Sequence, residues 1–126
     1  MSLPRPTDAE LCLLKVLWAR GPSTVRQVFE VLSEGRELAY TTVLKTLQVM
    51  TEKGLVERDE ACRTHVYRAT ASERQTQQSL LKDLVDRAFG GSALRLVQAA
   101  LSQEQATAEE MAAIRRLLHR SEGGEE

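Results

Sequence analysis

The stretch Ala39-Tyr40-Thr41-Thr42-Val43-Leu44-Lys45-Thr46-Leu47-Gln48-Val49-Met50-Thr51-Glu52-Lys53-Gly54-Leu55-Val56-Glu57-Arg58 changes its periodicity once, and that change decides the fold. Val43, Leu47 and Met50 recur at helical spacing, with Leu44 alongside. Gly54 stands where a helix wants a left-handed terminal residue. Leu55-Val56-Glu57-Arg58 then reads as a short strand and Asp59-Glu60-Ala61-Cys62 as a turn. Arg63-Thr64-His65-Val66-Tyr67-Arg68 is β-branched and aromatic and alternates in polarity, so it reads as the returning strand of a hairpin.

Two helices precede this stretch. Thr7-Asp8-Ala9-Glu10 is a capping box, a hydroxyl followed three residues on by a glutamate. It opens a helix from Asp8 to Arg20 carrying Leu11, Leu14, Leu17 and Trp18, stopped by Gly21-Pro22. Ser23 or Thr24 caps the next, whose apolar face is Val25, Val28, Phe29 and Leu32. Helix, helix, helix, hairpin is the order of a winged helix-turn-helix. The fold class read from this is mainly α with a small β-hairpin wing. Residues 7–71 form a DNA-binding domain in this reading.

Downstream the pattern is helical again. Leu80, Leu81, Leu84, Val85, Ala88 and Phe89 form a stripe that ends at Gly90-Gly91. Leu94, Val97 and Leu101 follow on a shorter helix. A second capping box, Thr107-Ala108-Glu109-Glu110, opens a last helix with Met111, Ile114, Leu117 and Leu118 on one face. These stripes have little to bury against within one chain, and two copies packed together solve that. Residues 72–120 are therefore read as a helical dimerisation domain, with Leu80, Leu84, Val85, Ala88, Leu94, Val97, Leu101, Met111, Ile114 and Leu118 at the interface. The polar stretch 121–126 is expected to be a disordered tail.

Composition excludes several classes. Of 126 residues, 42% are hydrophobic and 28% charged, as in ordinary globular proteins. No apolar run approaches the ~18–20 residues of a membrane span, and Met1-Ser2-Leu3-Pro4-Arg5-Pro6 lacks the apolar core of a signal peptide. A cytoplasmic location without direct membrane contact is expected. The net charge of −1 means that any nucleic-acid binding rests on a local patch. Cys12, within Leu11-Cys12-Leu13-Leu14, reads as a core thiol. Cys62-x-x-His65 offers two metal ligands, short of the four or three that zinc sites use, so no metal is expected. There is no Gly-rich phosphate loop, no HExxH and no GxSxG. No enzyme activity, no catalytic residue and no cofactor is expected.

The third helix suits the task of reading DNA. Thr41, Thr42, Lys45 and Thr46, with Gln48, are polar or basic groups off its apolar stripe. Hydroxyls and N-terminal amides bond phosphates, and threonine methyls fit thymine methyls in the major groove. Tyr40, at the helix start, can lay its ring beside the sugar-phosphate backbone. Arg63 and His65 stand at or near the hairpin tip, where an arginine can neutralise a phosphate or enter the minor groove. A plain solvated face has the same look. The order of elements, not any single residue, favours double-stranded DNA as the partner. Two other readings stay open: a regulator on the same scaffold that responds to a ligand or to oxidation of Cys62, and a helical adaptor that binds protein.

The run Ala39 to Leu47, with Glu52-Lys53-Gly54-Leu55-Val56, resembles the penicillinase-repressor family (BlaI/MecI type). Asp8-Ala9-Glu10-Leu11, Val16-Leu17-Trp18 and Arg63-Thr64-His65-Val66-Tyr67 extend the resemblance, which covers about Thr7 to Leu118. It implies a bacterial homodimeric repressor on an inverted-repeat operator, with the third helix in the major groove and the wing on the backbone. Carried onto this chain, the helix positions are Tyr40, Thr41, Thr42, Lys45 and Thr46, and the wing positions Arg63 and His65. Relatives under a membrane sensor-protease pathway are cut at an Asn-Phe bond, where this chain has Ala99-Ala100. Copper-responsive relatives end in Cys-x-Cys motifs, and this chain has no cysteine after Cys62.

Overall fold

The protein's structure, a computed structural model, describes residues 4–61, 63–102 and 107–123, the last three by backbone alone. The described elements run α1 (Asp8–Arg20), β1 (Ser23–Thr24), α2 (Val25–Leu32), α3 (Tyr40–Lys53), β2 (Val56–Asp59), β3 (Val66–Ala69), α4 (Glu73–Ala88), α5 (Ala93–Ser102) and α6 (Ala108–Gly123). Two compact units divide inside α4, one running to Leu81 and the other starting at Lys82.

In the first unit, helices α1, α2 and α3 pack around one apolar core, and the small sheet completes it. Each element contributes its periodic face. From α1 come Leu13, Leu14 and Leu17; from α2, Val28; from α3, Val43, Leu47 and Met50; from the sheet, Val56 and Tyr67. The three α3 residues are at most 1% exposed, so this helix is fixed in rotation about its own axis. Gly54 ends α3 at φ 84°, the left-handed conformation that glycine takes without a Cβ penalty. The Leu55 amide then donates to the Met50 carbonyl at 2.9 Å and turns the chain into β2.

The sheet is antiparallel in the order β1-β3-β2. The hairpin thus gains a third strand, β1, which the sequence reading treats only as a helix cap. Thr24 serves both roles: it pairs with Val66 and its hydroxyl accepts from the Gln27 amide. Strand β3 starts three residues later than its sequence suggests. Arg63, Thr64 and His65 precede it, and Val66 pairs with Asp59. Cys62, on which the open redox reading rests, lies outside the described residues. Trp18 of α1 donates its indole N–H to the Ala71 carbonyl at 3.0 Å and ties down the chain leaving the sheet.

In the second unit, the predicted helices are present, but among the described residues none is buried. Leu84, Leu94, Val97, Leu117 and Leu118 are exposed, and Val85, Leu101, Met111 and Ile114 are half-buried. Helix α6 continues to Gly123, into the stretch expected to be tail. Residues 103–106 and 124–126 lie outside the described residues.

One ion pair links the two ends of the first unit's helical layer. Glu10, in the first turn of α1, accepts from the Lys53 ammonium in the last turn of α3 at 2.6 Å and from the Thr7 amide at 2.9 Å. Burial raises the Glu10 pKa, but the Lys53 hydrogen bond and the Thr7 amide outweigh it and hold the carboxyl below its ordinary value. With the folded-state value depressed, the stabilisation is complete above the unfolded-state value and is lost as pH falls through the folded-state value. In Lys53→Met the burial remains and its partner is gone. The Glu10 titration, followed by carboxyl NMR, then moves up, and acid unfolding begins at higher pH. An unchanged Glu10 titration in that variant contradicts the assignment.

Candidate nucleic-acid interface

Because Val43, Leu47 and Met50 are locked inward, the opposite face of α3 is fixed outward. Thr41, Thr42, Lys45, Gln48, Val49 and Glu52 are exposed along it. Counting 100° per residue, Thr41, Lys45, Gln48 and Glu52 fall on one narrow line, flanked by Thr42 and Val49. Thr46 is half-buried, and its hydroxyl donates back to the Thr42 carbonyl at 2.7 Å. Its oxygen keeps acceptor capacity, but its proton is engaged within the helix.

The start of α3 differs from the other helix starts. Thr7, Thr24, Ser72, Ser92 and Thr107 each accept an amide of the following helix with a side-chain hydroxyl. Ala39, at the same position before α3, has no side-chain cap. The Thr42 amide donates to the Ala39 carbonyl at 3.1 Å, so among the described residues the Tyr40 and Thr41 amides are left for an external acceptor, and the positive end of the helix dipole points with them.

Tyr40 is held by α2. Its ring meets Phe29 edge-on at a centroid distance of 5.6 Å, and the Arg26 guanidinium lies 5.6 Å from the Tyr40 centroid. Arg26 is exposed. A cation over a π face adds about 0.5–1 kcal/mol at an exposed site. The Tyr40 ring is thus oriented while its surface stays 38% exposed.

In the wing, most arginines are already neutralised. Arg58 pairs with Glu60 at 2.6 Å and Arg68 with Glu57 at 3.0 Å. The Glu60 carboxylate, helped by the Tyr67 hydroxyl, raises the Arg58 pKa above its ordinary value. Arg63 and His65 are exposed, and among the described residues neither has an ion pair. An open groove of about 360 Å³ beside the sheet is lined by Pro22, Glu57, Arg58, Asp59, Val66 and Arg68. Of its charges, Glu57 and Arg68 pair with each other and Arg58 pairs with Glu60, and its lining holds no nucleophile–base pair.

The structure brings Tyr40, Thr41, Thr42 and Lys45 to one outward surface, with Thr46 at its margin. Arg26, Gln48 and Val49 join them. Arg26 escaped the sequence reading because its relation to Tyr40 spans two helices. Val49 escaped because an apolar residue in a helix is by default assigned to the core; only its position one step off the Leu47–Met50 face signals otherwise. Among the described residues, no group of three metal-ligating side chains converges, and no helix is long and apolar enough to cross a membrane.

Comparison with known proteins agrees with this architecture. The Penicillinase repressor family model matches residues 6–120. The transcriptional regulator BlaI of Mycobacterium tuberculosis is 38% identical over 125 residues, covering 97% of this chain and 88% of that protein. The solution structure of the DNA-binding domain of the repressor BlaI superposes with a TM-score of 0.51 at 26% identity, over 60% of this chain and 93% of that one. A MarR family protein from Bacillus stearothermophilus shares the fold, with a TM-score of 0.54 at 21% identity over 94% of this chain and 74% of that one. With a family match across nearly its whole length and an outward helix face beside a small wing, the chain belongs to the penicillinase-repressor family, whose members are transcriptional regulators and not enzymes.

Proposed function

We propose that the protein is a sequence-specific transcriptional repressor that acts in the cytoplasm as a homodimer on an inverted-repeat operator. The observation that carries this reading is the outward face of α3, polar along its length and uncapped at its start, on a helix whose rotation the core fixes. In this reading α3 lies in the major groove. The Tyr40 and Thr41 amides, the Tyr40 hydroxyl and the hydroxyls of Thr41 and Thr42 take phosphates. Lys45 and Thr46 face the groove. Arg63 supplies the wing's unspent charge to the backbone, with His65 beside it.

Dimerisation follows from the second unit. From Lys82 onward, amphipathic helices without one buried side chain among the described residues do not hold together by their own packing. A second copy covering Leu80, Leu84, Val85, Ala88, Leu94, Val97, Leu101, Met111, Ile114 and Leu118 supplies the missing core. Residues 7–71 are assigned to DNA and 72–120 to the dimer. A two-fold axis then sets the two reading helices on half-sites one or more helical turns apart. A membrane sensor-protease pathway, as the family resemblance suggests, would act on α5. There Ala99 and Ala100 stand in helical backbone, which must open locally before any cut.

Four substitutions test these roles. Lys45→Ala and Arg63→Ala each weaken binding to duplex DNA without altering the fold or the dimer. If each residue meets one phosphate, the log–log salt slope falls by about 0.9 per variant. Unchanged affinity in both contradicts the placement of the two faces. Ala39→Asp caps α3 and puts a carboxylate where a phosphate would sit. It raises the stability of the fold by about 0.5–2 kcal/mol and lowers DNA affinity, an opposition of signs that a purely structural role does not produce. Leu84→Asp shifts the protein to monomer in sedimentation and weakens operator binding, because the two half-sites are no longer tethered. A Leu84→Asp dimer with full affinity contradicts the dimer assignment.

A further inference from the structure

We propose that Gln48 and Val49 are sequence-reading residues, Gln48 for an adenine and Val49 for the 5-methyl group of a thymine in a neighbouring base pair. The inference rests on the reading of α3 as the major-groove helix and names the bases it recognises.

Val49 is the anomaly. Every other valine, leucine or methionine of α3 is buried or half-buried, whereas Val49 is 45% exposed among polar neighbours. Left in water, its methyls gain nothing. Set against an apolar surface, they are favourable in proportion to the area covered. In a major groove, the one apolar feature on a base edge is the thymine methyl. Phosphate oxygens offer a valine no favourable contact, and its place beside Gln48 on the outward face sets it toward a base edge.

Gln48 stands beside it, on the same line as Thr41 and Lys45. Its amide has no hydrogen-bond partner among the described residues, so both its donor and its acceptor are available. That combination matches the N7 acceptor and N6 donor of adenine, to which glutamine bonds bidentately. Two residues successive in sequence rise only ~1.5 Å along a helix, against ~3.4 Å per base step of duplex. The two side chains therefore reach the same or adjacent base pairs. Both are uncharged, so they change which sequence is bound without changing how many counterions are released.

The test is a coupling cycle between side chain and base on the full-length protein. The duplex carries the sequence that the wild-type protein itself enriches from randomised DNA. Each thymine is replaced in turn by deoxyuridine, which lacks the methyl, and each adenine by 7-deazaadenine, which lacks N7. At one thymine, deoxyuridine lowers wild-type affinity about fourfold and leaves Val49→Ala unaffected. At one adenine, 7-deazaadenine lowers wild-type affinity about tenfold and leaves Gln48→Ala nearly unaffected. The salt slope stays that of wild type in both variants. Two results overturn the proposal: equal losses for wild type and variants at every analogue, or variants whose salt slope becomes shallower, as for a phosphate contact. If the wild type enriches no sequence at all, the failure lies earlier, in the reading of α3, and both fall together. Both positions are exposed, and thermal unfolding of the variants, unchanged or raised, separates lost contacts from lost fold.

Discussion

The burial of Val43, Leu47 and Met50 is the constraint on which the rest of the reading unit depends. Each is worth about 1.5–3 kcal/mol when fully covered, and their spacing leaves α3 one rotation that covers all three. Every statement about the outward face is a consequence. Thr41, Lys45 and Gln48 point to solvent because the residues two or three steps away cannot. At the far end, the Glu10–Lys53 pair holds α3 to α1, and the Schellman-type turn at Gly54 sends the chain directly into the sheet. The reading helix and the wing are thus joined through one glycine and share one core. Such coupling suits the proposed function, in which two contacts meet a duplex in fixed register.

The two units obey opposite physics. The first closes its core within one chain; the second leaves its apolar stripes open. Six helices therefore do not make one domain with one core. In the proposed function a second copy covers those stripes, and symmetric pairing is the commonest way to complete such a surface. It also fits the task proposed for the first unit, since a reading helix of three to four turns spans only a few base pairs and discriminates little alone.

Much of this was legible in the residues. Thr7 and Glu10 mark the start of α1 because a capping box is a local motif whose partners are three residues apart. The α3 face is legible because helical periodicity is also local. What was not legible depends on distant partners. Strand β1 is two residues long and carries no alternation of its own; it exists because β3 has an open edge beside it. The start of β3 moved to Val66 because pairing with Asp59, not β propensity, sets where the ladder begins. Arg26 joins the outward surface only because α2 packs beside Tyr40. Thr41, Thr42 and Lys45, marked by their polarity, lie exposed on the outward face and Thr46 is half-buried at its margin, while Val49 is hidden in the sequence because its chemistry resembles that of the core.

The central claim, that α3 reads sequence in each half of a symmetric dimer, is most directly tested by selecting bound duplexes from a fully randomised library with the purified wild-type protein. The account predicts enrichment of an inverted repeat whose half-site centres are one or more helical turns apart. A folded, dimeric protein that enriches no motif, or only a single unrepeated one, contradicts it.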